Sequence, residues 1–261
     1  MTVFKIATWN VNSLRVRLPQ VLTWLAAEQP DILALQELKI PTEKFPFDEL
    51  RAAGYEAVVN GQKTYNGVAI LYRHRVPENV VIEFPELQDP QRRVLAATFN
   101  HVRVLNLYVP NGESVDSAKY QYKLNWLNHL RYFLTNEINQ YPKIIILGDF
   151  NIAPQDEDVH DPTAWEGKVL FSAPERAEFQ KILQLGFQDC FRLHAQPEKS
   201  FSWWDYRLNA FKRNLGLRID HILASTELAK YCKQCAIDKA PRGWERPTDH
   251  APVIAEFLLR N

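Results

Sequence analysis

Four carboxylates, three carboxamides, a phenol and an imidazole stand where short apolar runs of this chain give way to loops. Ile144-Ile145-Ile146-Leu147 halts at Gly148 and then sets out Asp149, Phe150 and Asn151. Branched apolar residues in unbroken succession predict a strand buried on both faces, with Asp149 and Asn151 at its rigid tip. The pattern recurs. Residues 4–9 precede Asn10-Val11-Asn12, 32–35 precede Gln36-Glu37, and 104–107 precede Tyr108-Val109-Pro110-Asn111. Leu217-Arg218-Ile219 precedes Asp220-His221, and Thr248-Asp249-His250 stands just ahead of an alternating run that begins at Val253. One acid after a strand is ordinarily a turn or cap residue. Six strand ends with this inventory predict a single convergent site instead, because loops held by a rigid sheet are the usual carriers of function.

The set Glu37, Asp149, Asp220 and Asp249, with Asn10, Asn12, Asn151, Tyr108 and His250, lacks both a Ser-His-Asp order and a phosphate-cradling glycine loop. Oxygen donors without thiolates suit a hard cation, Mg²⁺ or Mn²⁺. Phosphate-ester hydrolysis beside such a cation also needs a positioned water and relief of developing charge, which Asp149, Asn151 and His250 can supply.

Strands must position these residues, and the pattern predicts further ones over 56–59, 67–72, 80–84 and 93–99. Leu18, Val21, Leu22 and Leu25 share one helical face, with Pro19 expected in the first turn, the position where proline is tolerated. Tyr120, Leu124, Leu127, Leu134 and Ile138 trace a longer helix. Ser172 and Glu175 have capping-box spacing ahead of Phe179, Ile182 and Leu183, and Gly186 is placed to end that helix. The alternation predicts an α/β fold: a four-layer α/β sandwich of two packed mixed β-sheets flanked by helices, with the strand ends meeting at one rim.

No linker or low-complexity tract divides the 261 residues, so 1–261 reads as one domain. Lys+Arg and Asp+Glu balance at 31 each, so net charge gives no argument for a nucleic-acid partner. The distribution is uneven, with basic groups at Arg15/Arg17, 73–75, Arg92/Arg93, Lys212/Arg213/Arg218 and Arg242/Arg246; gathered round the site, they would form a local anion footprint. Cys232 and Cys235 have zinc-like spacing but no matching second pair, and with Cys190 they make an odd count without a disulfide framework. The chain has no leader-like start and no run of membrane-spanning length, so a cytoplasmic protein without a membrane partner is expected.

The segments Trp9-Asn-Val-Asn-Ser-Leu-Arg15, Leu35-Gln-Glu-Leu-Lys39, Tyr65-Asn-Gly-Val-Ala-Ile70, Tyr108-Val-Pro-Asn-Gly112, Gly148-Asp-Phe-Asn151, Phe201-Ser-Trp-Trp-Asp-Tyr-Arg207, Leu217-Arg-Ile-Asp-His221 and Thr248-Asp-His250 follow one another along nearly the whole chain. In these it resembles the exonuclease III family of apurinic/apyrimidinic endonucleases, within the endonuclease/exonuclease/phosphatase superfamily. The resemblance implies a Mg²⁺-dependent phosphodiesterase of base-excision repair, acting as a monomer on duplex DNA with abasic sites or blocked 3′ ends. Incision 5′ to the abasic site leaves a 3′-hydroxyl, and 3′-to-5′ exonuclease and 3′-end-cleaning activities accompany it in the family. Glu37 then matches the principal metal ligand, with Asn10 in the metal and water network and Asp249 a second or outer ligand. Asp149 matches the group that orients or deprotonates the attacking water, and Asn151 positions that water or the phosphate. Tyr108 and His250 match phosphate-contacting groups, and Asp220 orients His250. Asn12, Arg15, Lys39, Tyr65, Asn111 and Arg213 fall at substrate-binding positions. Trp203 or Trp204 is expected to wall a pocket for a base-less sugar, which is cheap to extrude because no base must be unstacked. The family's DNA wedge has no assignable counterpart, since the only methionine is Met1. Two alternatives are a phosphatase of small phosphoesters from the same superfamily, which needs no tryptophan-lined pocket, and a catalytically silent DNA-binding scaffold.

Overall fold

The computed structural model describes residues 2–259. One six-stranded sheet runs in the order β13 (Cys232–Ile237), β14 (Val253–Leu259), β1 (Thr2–Asn10), β2 (Ile32–Gln36), β4 (Val68–Tyr72), β3 (Glu56–Asn60). The other runs β5 (Glu78–Val81), β6 (Val94–Phe99), β7 (Val102–Tyr108), β8 (Ile144–Asp149), β12 (Asp220–Ser225), β9 (Phe187–Asp189). Both are mixed: β1 with β2 and β7 with β8 are parallel, while β1 with β14 and β8 with β12 are antiparallel. A short ribbon of β10 (Trp203–Trp204) and β11 (Gly216–Leu217) sits beside them.

Alternation along β8 explains the layering. Ile145 and Leu147 point into the core shared by the two sheets, with Ile6, Ile32, Ile70, Val104 and Ile222. Ile144 and Ile146 point the other way, against α3 (Ala118–Gln140) and, after the single-turn α4 (Pro162–Trp165), α5 (Ala173–Gln184), through Leu127, Leu130, Phe179 and Ile182. The outer face of the first sheet is covered by α1 (Leu14–Glu28) and α2 (Phe47–Ala52), whose Val21, Trp24, Leu25 and Leu50 meet Trp9, Leu33 and Leu71. These are the four expected layers, each sheet being apolar on both faces because each is covered twice. Cys190, Cys232 and Cys235 are core residues between the sheets.

Two local expectations are corrected. The helix carrying Leu18, Val21, Leu22 and Leu25 begins at Leu14, so Pro19 lies inside it and not in its first turn. Arg15 and Pro19 are both exposed, so the carbonyl that loses its partner is on the wet side of the helix. The strand expected over 80–84 is Glu78–Val81, an exposed edge strand with a register shift, and Phe84 leaves the ladder to pack on Trp126 and Phe133 with ring centroids 5.0 and 5.4 Å away. The capping box of Ser172 and Glu175 opens α5 as expected, and Gly186 follows its end at φ 105°.

Register does the positioning. In the second sheet Asp149 is paired on one side with Tyr108 and on the other with Asp220. In the first sheet Asn10 is paired with Gln36, immediately before Glu37. Beneath these rows the sheets are joined by buried amides: Gln36 donates to Asn106 at 2.7 Å, and Asn106 donates to the carbonyls of Leu35 and Ala69 at 2.9 and 2.8 Å. Among the described residues no helix is long and apolar enough to cross a membrane.

Candidate active site

Gly148 is the hinge of the site. Its φ is 142°, and a Cβ there would lie 1.9 Å from the Leu107 carbonyl oxygen on the neighbouring strand, so only glycine lets β7 and β8 approach so closely before Asp149 emerges. Asn151 then turns back in the left-handed region at φ 50°, donating its main-chain N–H to Asp149 Oδ1 at 2.9 Å. Its side-chain amide donates to the Val109 carbonyl at 3.0 Å and accepts from Asn111 Nδ2 at 3.0 Å.

Asn10 bridges the two sheets. Its Nδ2 donates to Glu37 Oε1 and to Asp149 Oδ2, both at 2.9 Å, holding two carboxylates side by side. Donor atoms of Glu37, Asp149 and His250 all lie within 4.8 Å of one another, a cluster that could hold a metal ion. On the far side of the cluster His250 Nδ1 meets Asp220 Oδ2 at 2.9 Å, and Asp220 also accepts from Ser202 Oγ at 2.6 Å. His250 Nε2 faces Asp149 Oδ2 at 3.8 Å.

Electrostatics sorts these groups. Burial works against the imidazolium of His250, but the charges of Asp220 and Asp149 outweigh it and lift its pKa to about 10. Burial pushes the Asp149 carboxyl up to about 7, with His250 pulling down and Asp220 pushing up. Burial, with the charges of Glu37 and Asp149, holds the Tyr108 phenol well above its ordinary value, so it remains a proton donor. Arg93 lies over the Tyr108 ring at 4.6 Å and donates to the Tyr108 carbonyl at 3.1 Å.

The outer residues divide. Lys39 reaches Glu37 Oε2 at 3.0 Å and Asn12 Oδ1 at 2.5 Å. Asp249 lies outside the metal-competent cluster, with Oδ1 accepting from Asn12 at 2.9 Å and Oδ2 from the Trp203 indole at 3.0 Å. Burial opposes its charge, but His250 and these two donors hold its carboxyl below the usual range. Trp203 is thus the tryptophan at the site. Trp204 is corrected to a core residue: it is fully buried, packed edge-on to Phe211 at 5.0 Å, and its indole is taken by Asn214. Tyr65, Tyr108 and Asn111 line one open groove of about 610 Å³ next to the cluster. Arg15 and Arg213 are exposed, Arg15 lining a groove with Lys39 and Arg213 lying in the connection between β10 and β11. Arg73 belongs to the opposite end: it follows Tyr72, which pairs with Ile32 at the start of β2, so the 73–75 cluster does not border the site.

Residues 7–250 match the model of the endonuclease/exonuclease/phosphatase family. The chain belongs to this family. It is 37% identical to exodeoxyribonuclease III of Haemophilus influenzae, across 97% of this chain and 99% of that one. A structure of the 3′ phosphatase NExo from Neisseria, bound to a product DNA hairpin, superposes with a TM-score of 0.96 at 50% identity, covering 98% of this chain and 100% of its own. An AP endonuclease from Archaeoglobus fulgidus superposes at 0.93 with 40% identity, covering 98% and 100%. Within the family the chain is an exodeoxyribonuclease III-like hydrolase with the two-sheet architecture of these neighbours.

Sequence reasoning passed over Ser202, which fixes Asp220, and Lys123, which reaches two residues of the site from inside α3. The second carried a signal: Lys123 falls three residues after Tyr120 and four before Leu127, on the apolar face where a lysine is out of place.

Proposed function

We propose that this protein is a Mg²⁺-dependent DNA repair nuclease that cleaves duplex DNA 5′ to an abasic site and leaves a 3′-hydroxyl. The observation that carries this reading is the juxtaposition of Glu37, Asp149 and His250 within 4.8 Å. Its donors are hard, and His250 is held as an imidazolium without a free lone pair, so the Glu37 and Asp149 carboxylates fit a divalent cation such as Mg²⁺ or Mn²⁺. A bound cation at such a pair supplies Lewis-acid neutralisation of phosphate oxygens.

The chain's own groups do the rest. Asn10 keeps Glu37 and Asp149 together in one orientation. Asp149, fixed by Asn10 at one oxygen and by the Asn151 main-chain amide at the other, is suited to take the proton of an attacking water, and Asn151 beside it to orient that water. His250 and Tyr108 donate to the phosphate oxygens as charge builds, with Asp220 fixing the His250 ring. Trp203, tethered by Asp249, walls the space for the extruded sugar, while Asn12, Lys39, Tyr65 and Asn111 contact the flanking strand.

The deciding assay uses a duplex with one synthetic abasic site, with Mg²⁺ or with EDTA, beside an inositol phosphate. Incision that needs the metal, with the inositol phosphate untouched, is expected; no incision by folded protein, or full activity under chelation, refutes the reading. A second reading, 3′-end processing as the main activity, is favoured by the 50% identity to a 3′ phosphatase. A duplex ending in a 3′-phosphate, run in parallel, ranks the two.

A further inference from the structure

Lys123 is fully buried in the second turn of α3, and its partner Glu175 is fully buried too. An ammonium has three protons and no acceptor, so a dry lysine must find three acceptors. Lys123 finds Glu175 Oε1 at 2.5 Å, the Asn151 carbonyl at 2.6 Å and the Asn111 carbonyl at 3.1 Å. Two of its three acceptors are therefore main-chain atoms of residues whose side chains face the reaction centre. Those side chains are themselves joined, Asn111 Nδ2 to Asn151 Oδ1.

Glu175 is more than a helix cap. Oε1 also accepts from the Leu170 amide at 3.0 Å, and Oε2 accepts from the Ser172 amide at 3.1 Å and its hydroxyl at 2.5 Å. The carboxylate is thereby anchored to the start of α5, and the anchor passes through Lys123 to the loops after β7 and β8. Asn151 sits in the left-handed region, a conformation that a non-glycine residue keeps only when its surroundings over-determine it. Its side chain does not do this alone: that amide makes one long bond to Asp149 Oδ2 at 3.3 Å on its own segment, and its shorter bonds go to Val109 and Asn111, which belong to the other loop.

We propose that Lys123, braced by Glu175, is a positioning residue for hydrolysis that fixes the relative placement of Asn111 and Asn151 by gripping both their carbonyls. It touches neither substrate nor cation. The proposal rests on the catalytic reading of Asn151 given above and adds to it a buried device that sets where that amide stands.

The test is a cycle of variants in single-turnover incision of the abasic duplex at saturating DNA. Lys123→Met should lower the rate on the order of 10- to 100-fold, the usual result of misplacing a catalytic group by a fraction of an ångström to an ångström. In a background of Asn111→Ala/Asn151→Ala the same substitution should cost less than about twofold, since there is no longer an amide to place. Lys123→Met strands a buried carboxylate, so Lys123→Met/Glu175→Gln is run alongside it, and Ile182→Ala, which opens a cavity under α5 away from its capped start, serves as a control that destabilises the fold while leaving the grip. Ile182→Ala should melt earlier yet keep its rate. An unchanged rate in Lys123→Met/Glu175→Gln, or a full loss that persists in the double-alanine background, overturns the proposal. If the wild-type protein incises no DNA, the functional reading fails. The side-chain amide NMR resonances of Asn111 and Asn151 then decide separately: they should shift in the lysine variants, and unmoved resonances overturn the proposal.

Discussion

His250 is held at Nδ1 by a buried carboxylate and keeps Nε2 toward the acidic cluster. If Asp220 acts through that ring, removing either residue costs most of the same catalytic contribution, on the order of a hundredfold. The double variant Asp220→Ala/His250→Ala is then expected to be little slower than His250→Ala alone in single-turnover incision. Multiplicative losses would show two independent roles. Glu37→Gln keeps the side chain's shape and its contact with Asn10 but removes a charge from the cluster. The expected outcome is a Mg²⁺ titration displaced to higher concentration with little change in melting temperature; an unmoved titration would place the cation elsewhere. At this scale the sequence was largely legible, since Asn10, Glu37, Tyr108, Asp149, Asn151, Asp220 and His250 all meet at one rim. The choice between Trp203 and Trp204 was not, because adjacent strand residues face opposite ways and spacing alone does not say which face is wet.

Below the rim, elements are tied by a buried ion network. Arg218 pairs with Asp158 at 2.6 Å and Asp189 at 2.8 Å and donates to His221 Nδ1, while His221 Nε2 donates to the Ile152 carbonyl at 2.8 Å. The network joins β9, β12 and the loop that follows Asn151. Arg218→Met leaves two buried carboxylates short of a partner and is expected to cost about 3–5 kcal/mol in chemical denaturation. His221 supplies a pH signature. Burial, then the Arg218 charge, push its pKa from 6.5 down to about 4. The unfolded chain therefore takes up a proton that the folded ring refuses. Stability is complete above 6.5 and falls as pH drops toward about 4, by about 3 kcal/mol at most. Urea midpoints at pH 7 and 4.5 should separate more in the wild type than in His221→Gln; equal separations would remove the assignment. Asp158, Asp189 and Arg218 lie in distant segments, so their joining is a property of the packed elements and not of any local pattern.

Across the whole molecule, equal numbers of acidic and basic side chains leave DNA binding to local clusters. Contacts by Arg15 and Arg213 with phosphates would each release about one counterion, so their alanine variants should reduce the log–log salt slope of DNA binding by about one apiece. Arg73→Ala should leave the slope unchanged, because Arg73 lies at the end of the first sheet away from the rim; a reduced slope for it would mean that DNA wraps far beyond the site. From the sequence alone came the α/β class, the four layers, the family motifs and most of the acids and amides of the site. These follow from periodicity and from polar residues at strand ends, both written locally along the chain. Only the tertiary structure decided that Trp204 is core, that the 73–75 cluster lies away from the site, and that Lys123 grips two loops from within a helix. Each depends on which face of an element its neighbour covers, and that is set by register and by packing between segments far apart in the chain.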